Sequence, residues 1–328
     1  MDSFTFGVVL SCLSCLILAS NGMMALALIL LIQKSESRGL CFVLNLAVAD
    51  CFIGIAVTGI ATQELSNTNV TAERLCALRM SSITCPSAAS ILTMVLVALD
   101  RYLAIKQPLR YLQVMTAPVV GACLAALWVI SGFFGFLPVM IENFQHENYD
   151  GKCTFFNVFQ PAYMLTVFSV GFFPGMLVFV YFYCDILKIA RLHAHQIWDI
   201  EQIGPVLPCA NLHNAHDIKA IRTVAILIGC FVLFWSPFFV VSIVQAACTE
   251  CALYEVIEKY LWLLGLGNSL LNPLIYAYWQ REVRRQLYHM CLAVKRRALS
   301  LLHVERPPRI PRGTECHLNN ISQPQLEG

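Results

Sequence analysis

The chain has 328 residues, of which 58% are hydrophobic and 13% charged, with a formal net charge of +2. Soluble domains carry nearer ~25% charged residues, so this composition excludes an ordinary water-soluble globule, and the small net charge gives no reason to expect a nucleic-acid partner. A bilayer core about 30 Å thick takes roughly 20 apolar residues per helical crossing, which makes runs of that length the feature to look for.

Seven such runs occur, at 7–32, 40–62, 75–105, 117–141, 161–187, 221–247 and 254–279. They predict an all-α membrane fold, a seven-transmembrane helix bundle over residues 7–280. Before it stands a short extracellular arm, 1–6. After it come a short amphipathic helix on the membrane surface, 281–297, and a polar, Pro- and Arg-rich tail, 298–328, expected to be disordered. No basic residue precedes the first run, which is also too long for a cleaved signal peptide, so it is read as a retained helix.

Positive loops translocate poorly, and this sets the orientation. With the amino terminus outside, 18 of the 22 Lys and Arg residues fall on the cytoplasmic side, leaving Arg74, Arg79, Lys152 and Lys259 outward. The outward loops are acidic, with Glu64, Glu73, Glu142, Glu147, Asp150, Glu250, Glu255 and Glu258. The expected location is therefore the plasma membrane, with the carboxyl terminus in the cytoplasm.

In chain order, the first polar residue of note is Asp50, mid-way along the second run. A carboxylate at bilayer depth costs several kcal/mol unless it is solvated or paired, so it must face the bundle interior. Ser90 in the third helix and Asn268, Ser269 and Asn272 in the seventh supply oxygens that suit either a sodium ion or a chain of waters. Asn69-Val70-Thr71 is an outward glycosylation sequon, whereas Asn320-Ile321-Ser322 lies on the inner side.

Most of the 15 cysteines sit in apolar runs, where a thiol packs as a small hydrophobe. Cys76, at the outer start of the third helix, and Cys153, in the loop before the fifth, both face an oxidising compartment. They can form a bridge over the bundle mouth or remain free thiols. Cys248 and Cys251 suit a local disulfide; two sulfurs fall short of a zinc site.

Asp100-Arg101-Tyr102 ends the third helix on the inner side. Arg101 can pair with Asp100 in one state and release to a partner in another, and Asp217 before the sixth helix is a second candidate partner. An exposed pair contributes only about 0–1 kcal/mol, enough to bias a two-state equilibrium. Pro174, Pro237 and Pro273 place prolines inside the fifth, sixth and seventh runs, where each removes a backbone hydrogen bond and permits a kink.

These motifs, taken in order, resemble the rhodopsin-like family of G-protein-coupled receptors over nearly the whole chain. The residues are Asn21, Leu46-Ala47-Val48-Ala49-Asp50, Cys76, Asp100-Arg101-Tyr102, Trp128, Cys153, Pro174, Phe234-Trp235-Ser236-Pro237 and Asn272-Pro273-Leu274-Ile275-Tyr276. The resemblance implies a Cys76–Cys153 disulfide and a switch built on Asp100, Asp217, Trp235, Pro237, Asn272, Pro273 and Tyr276. It also implies a G-protein cleft at Arg101, Lys106, Pro108 and Leu109. Residues 100–111, 171–190 and 260–288 are further similar to the family's lipid-amide receptors. That implies agonists among fatty-acid ethanolamides and lysolipids, a stimulatory G protein as partner and a rise in cyclic AMP. One departure is Phe182, where the family carries a tyrosine late in the fifth helix.

Ile83 stands where amine receptors of the family carry an aspartate, and no lysine in the seventh helix could form a retinal Schiff base. What remains is a pocket of Trp235, Phe238, Phe239 and Trp262, apolar enough for an acyl chain, although aromatics on membrane helices also face lipid or packing neighbours. Arg79 and Glu258, near the outer ends of the third and seventh helices, are expected either to pair and meet a polar headgroup or to form a solvated rim. On the inner side Arg284, Arg285 and Lys295 suit anionic lipid, and Cys291 is a palmitoylation candidate that an unmodified cysteine matches equally well. A transporter would show symmetry between halves, and an enzyme a cluster of reactive groups at membrane depth; the sequence has neither. No cofactor is expected beyond the sodium alternative.

Overall fold

In the computed structural model the described residues are 1–34, 37–67, 72–146, 149, 151–167, 169–170, 173–182, 184–185, 188, 208–248 and 251–304, with backbone alone for 105, 208–225, 228 and 301–304. The sequon at Asn69 and the tail beyond 304 lie outside them, and so does the side chain of Asp217.

Each apolar run folds as helix because, in lipid, only intrahelical bonds can satisfy the backbone of an isolated span. The helices are α1 (Ser3–Ile32), α2 (Gly39–Ser66), α3 (Glu73–Lys106), α4 (Pro108–Val114), α5 (Ala117–Met140), α6 (Phe155–Val158), α7 (Pro161–Val167), α8 (Phe173–Phe182), α9 (Pro208–Ala247), α10 (Tyr254–Val256), α11 (Trp262–Trp279) and α12 (Arg281–Val304). Five of them are long and apolar enough to cross a bilayer unbroken, namely α1, α2, α3, α5 and the Gly229–Ala247 part of α9. The fifth expected crossing is described as α7 and α8. The seventh is α10, a π-helical stretch over Ile257–Leu261 and α11.

Hydropathy placed most span edges within a few residues. The exception is α9, which begins at Pro208, well before the expected 221. Hydropathy marks the bilayer core, whereas a helix continues into water until a breaker or cap ends it. At its start α1 is capped by Asp2, which accepts from the Thr5 N–H at 3.2 Å. Hydrogen bonds from the Thr5 side chain and then its backbone N–H hold the Asp2 carboxyl below the usual carboxylate range.

Contacts at both ends fix the alternation of direction. Gly7 lies against Leu65 of α2, and Arg79 near the start of α3 reaches Gln63. Gly39 at the start of α2 lies instead against Arg101 at the end of α3. The two faces of the bundle are therefore a Met1 end and an Arg101 end.

Close approach of the helices depends on small residues. A Cβ on Gly135 of α5 would stand 2.8 Å from the backbone of Cys85 in α3, and one on Gly54 of α2 would stand 2.9 Å from Leu18 in α1. Polar side chains then bridge the helices: Ser14 donates to Gly54 O at 2.6 Å, Asn45 donates to Thr93 at 2.8 Å, and the Trp128 indole donates back to Asn45 at 2.8 Å. One amide thus joins α2, α3 and α5.

The chain divides into two units, 1–288 and 289–328. In the first, Val283 and Gln286 of α12 are buried; in the second, Cys291 is exposed.

Replacing Gly135 by Ala should destabilise the detergent-solubilised protein by about 1–3 kcal/mol through overpacking. Gly132→Ala, where nothing lies within 4 Å of the new methyl group, should change stability by less than about 0.5 kcal/mol. Thermal unfolding of the two variants side by side checks this.

Candidate functional site

Three groups of residues lie along the bundle. At its centre Asp50 has no solvent exposure, and three donors meet its carboxylate: Ser90 Oγ at 2.9 Å, Ser269 Oγ at 2.8 Å and Asn272 Nδ2 at 2.8 Å. Asn21 of α1 donates to Ser269 O at 3.0 Å, adding a fourth helix. Of the three seventh-helix residues the sequence set beside Asp50, Ser269 and Asn272 reach the carboxylate, whereas the Asn268 amide turns to Met94 Sδ at 3.8 Å. One helical turn separates the two asparagines, so they share a face of α11 at different depths, and Asn272 is the one level with the carboxylate. Asn268 Oδ1, Asn272 Oδ1 and the Tyr276 hydroxyl are buried without partners among the described residues, which is what a water cluster or a hard cation would satisfy. Among the described residues no cluster of three His, Cys, Asp or Glu suits a transition metal.

Towards the Met1 end, Cys76 and Cys153 are bonded, as are Cys248 and Cys251. The first bridge carries a loop folded back on itself through a Gln145–Phe159 bridge, with His146 donating to Val158 O and Gln160 to Phe144 O. That fold sends Phe156, Val158 and Phe159 inward, all buried, and Phe156 meets Tyr254 edge-on at 5.4 Å. The loop is a covered, aromatic roof. The sequence did not reveal it, because single aromatics in a polar loop carry no periodicity.

Below the roof, Trp235 packs against Phe238 and Phe239 with ring centroids 5.9 and 5.6 Å apart. Gly265 of α11 leaves room for the indole: a Cβ there would stand 2.8 Å from the ring. Ile83 is buried, Phe238 is half-buried, and Trp262 faces Phe6 of α1 at 6.5 Å. Arg79 and Glu258 do not pair. Arg79 lies on the α2 side of α3 and donates to Gln63 Oε1, whereas Glu258 faces Thr154 and the Phe156 backbone under the roof. Its Oε1 is buried with no partner among the described residues. A separate cavity of about 550 Å³ opens between the start of α3 and the end of α5, crossed by the Arg74–Glu142 pair at 2.7 Å.

At the Arg101 end, Arg101 pairs with the buried Asp100 at 2.9 Å, and the Tyr111 hydroxyl on α4 donates to Asp100 Oδ1 at 2.7 Å. Burial, then the Asp100 charge, pushes the Tyr111 hydroxyl above the usual tyrosine range. Nothing in the sequence marked Tyr111. Lys106 reaches Asp185 at 2.7 Å, Pro108 opens α4, and Leu109 is 91% exposed. Asp185 was legible after all, as the one charged residue in the fifth apolar run.

A family model described as "7 transmembrane receptor (rhodopsin family)" matches residues 21–276. The chain belongs to the rhodopsin family of seven-transmembrane receptors. It is a signalling receptor of the plasma membrane that works with a G protein, and it is not an enzyme. Among relatives it is 52% identical to the Homo sapiens glucose-dependent insulinotropic receptor over all of this chain and 99% of that one. It is 32% identical to the Rattus norvegicus 5-hydroxytryptamine receptor 4 over 86% of this chain and 73% of that one. It is 31% identical to the Rattus norvegicus histamine H2 receptor over 87% and 79%.

In this structure the Asp100–Arg101–Tyr111 group is closed, with both Arg101 and Tyr111 on the Asp100 carboxylate. Tyr111→Phe leaves a buried carboxylate oxygen without its donor, which costs about 1–3 kcal/mol in the closed state. Agonist-independent nucleotide exchange on the G protein should rise several-fold at matched surface expression.

Proposed function

We propose that this receptor answers to long-chain lipid amides and lysolipids, fatty-acid ethanolamides among them, and that the bound state activates the stimulatory G protein and raises cyclic AMP. The observation that carries the reading is Glu258: its Oε1 is buried with no hydrogen-bond partner among the described residues, under the aromatic roof. Such a site suits an amphiphile whose head donates a single N–H or O–H and whose tail is apolar. Ile83 offers no counter-ion to a cationic amine on α3, although relatives named for 5-hydroxytryptamine and histamine share about a third of the sequence.

The mechanism is a shift between two packings. An acyl chain entering among Phe238, Phe239 and Trp262 presses on Trp235, whose indole is wedged against Gly265. Relief comes by moving α9 about Pro237, which already lacks one backbone donor. Asn272, Pro273 and Tyr276 repack beside the unpartnered oxygens, with waters or sodium held by Asp50, Ser90, Ser269 and Asn268. Arg101 then leaves Asp100, while Asp217, the second candidate partner, travels with α9. The cleft so opened takes the terminal helix of the G protein, with Lys106, Pro108 and the exposed Leu109 and Leu112 at its edge.

In this reading the Met1 end is extracellular, with a glycan at Asn69, and the Arg101 end is cytoplasmic, with Arg284, Arg285 and Lys295 of α12 at the inner leaflet.

Cells expressing the chain should raise cyclic AMP on addition of oleoylethanolamide. Glu258→Ala should lower its potency about ten-fold or more, in line with loss of a buried hydrogen bond. No cyclic AMP response despite surface delivery removes the ligand and coupling assignment and leaves the fold intact.

A further inference from the structure

Late in the fifth crossing, where the family carries a tyrosine, this chain has Phe182, which has no hydroxyl to offer. The structure shows what its neighbourhood does instead. Phe182 stacks on Tyr102 with centroids 4.7 Å apart and planes 26° from parallel. Three residues on, and so on the same helical face, Asp185 accepts from the Tyr102 hydroxyl at 2.8 Å and from Lys106 Nζ at 2.7 Å, both through Oδ2. Lys106 closes the triangle: its ammonium donates to the Tyr102 hydroxyl and lies 4.9 Å from that ring's centroid. Tyr102 is buried, while the charged pair is half-exposed.

We propose that Asp185 is a latch that ties the inner end of the fifth crossing to α3 and to the loop beyond it, and that its release from Tyr102 and Lys106 is required for G-protein coupling. The proposal rests on reading the Arg101 end as the coupling face. Tyr102 follows Arg101 directly, so Arg101 cannot swing into an open cleft with its neighbour still bonded to the fifth crossing. Lys106 precedes α4, whose Leu109 is 91% exposed, so its partner decides where that loop points. Hydrogen bonds to Asp185 and Tyr102 hold the Lys106 ammonium above the usual lysine range, and the latch keeps its charge throughout the physiological pH range. It acts on the opposite side of Tyr102 from the Asp100–Tyr111 contact, which makes it a second, separately breakable constraint.

The full-length receptor tests this, with nucleotide exchange measured on purified G protein at matched receptor amounts. Asp185→Asn and Lys106→Met should each raise agonist-independent exchange about two- to five-fold, the range a half-exposed ion pair can bias. The double variant should exceed neither single, and exchanging the two residues, Asp185→Lys with Lys106→Asp, should restore the spacing between the inner ends of α3 and the fifth crossing. A merely structural role would give additive losses and no restoration. Spin labels introduced as unnatural amino acids at Gln107 and Lys188 report the spacing without any G protein, and Asp185→Asn should lengthen or broaden it. Unchanged spacing with unchanged exchange overturns the latch. Widened spacing with unchanged exchange overturns the reading of that face as the coupling face and leaves the latch standing.

Discussion

A carboxylate without solvent access sits where α2, α3 and α11 meet, and the packing around it is set by its need for donors. Asp50 takes three hydrogen bonds from three side chains on two other helices, and Asn21 ties α1 to the same place through Ser269. In lipid there is no hydrophobic drive between helices to hold such an arrangement; close packing and interhelical hydrogen bonds must do it. The glycines follow from that requirement, because a donor on one helix can reach an acceptor on another only where the backbones come near. Gly54 and Gly135 are the places where they do.

The same centre leaves Asn268 Oδ1, Asn272 Oδ1 and Tyr276 Oη buried with no partner among the described residues. Buried acceptors without donors are costly, and a region with several of them on a helix interrupted by Pro273 does not have a single best packing. A small apolar void beside Tyr276, lined by Leu46, Met94, Val97, Ala98, Phe179 and Leu227, gives room for another. The closed arrangement is then held chiefly at its ends. The aromatic roof and its disulfide constrain the Met1 end, and the ion pairs constrain the Arg101 end. On the proposed reading, this division lets one end respond to a ligand while the other controls a partner.

Much of this was legible in the sequence, and the reason is the bilayer. Apolar length gave the seven crossings, and the cost of a charge at membrane depth singled out Asp50 and the Asp100-Arg101 pair before any coordinates. Of the two disulfides, the Cys76–Cys153 bridge was implied by the family resemblance, and the Cys248–Cys251 bridge was suggested by the short spacing of its cysteines. What sequence reasoning missed depends on directions that periodicity does not carry. Arg79 and Glu258 were grouped because both sit near helix ends facing the same side, yet one points to α2 and the other into the loop roof. The π-helical stretch at 257–261 rotates the start of the seventh crossing relative to α11, so the Glu258 direction could not be read from an α-helical register. Tyr111 lies on a seven-residue helix with no apolar pattern of its own.

Asp185 shows how a departure from a family pattern can be compensated nearby. Losing the tyrosine hydroxyl at 182 removes a polar partner but keeps a ring, and the ring still stacks on Tyr102. The lost hydrogen-bonding capacity reappears one turn later as a carboxylate, which accepts where a tyrosine would also have donated. A carboxylate adds a charge, and the charge recruits Lys106, so the contact between the two helices gains an ion pair at the last residue of α3. The exchange alters what can open the site: a tyrosine trades one hydroxyl partner for another as helices slide, whereas a carboxylate bonded to an ammonium must lose both donors together. Opening at the Arg101 end is therefore a more nearly all-or-none event here than a sliding tyrosine would allow, and an insertion beside Arg101 has to displace Lys106 as well as move α9.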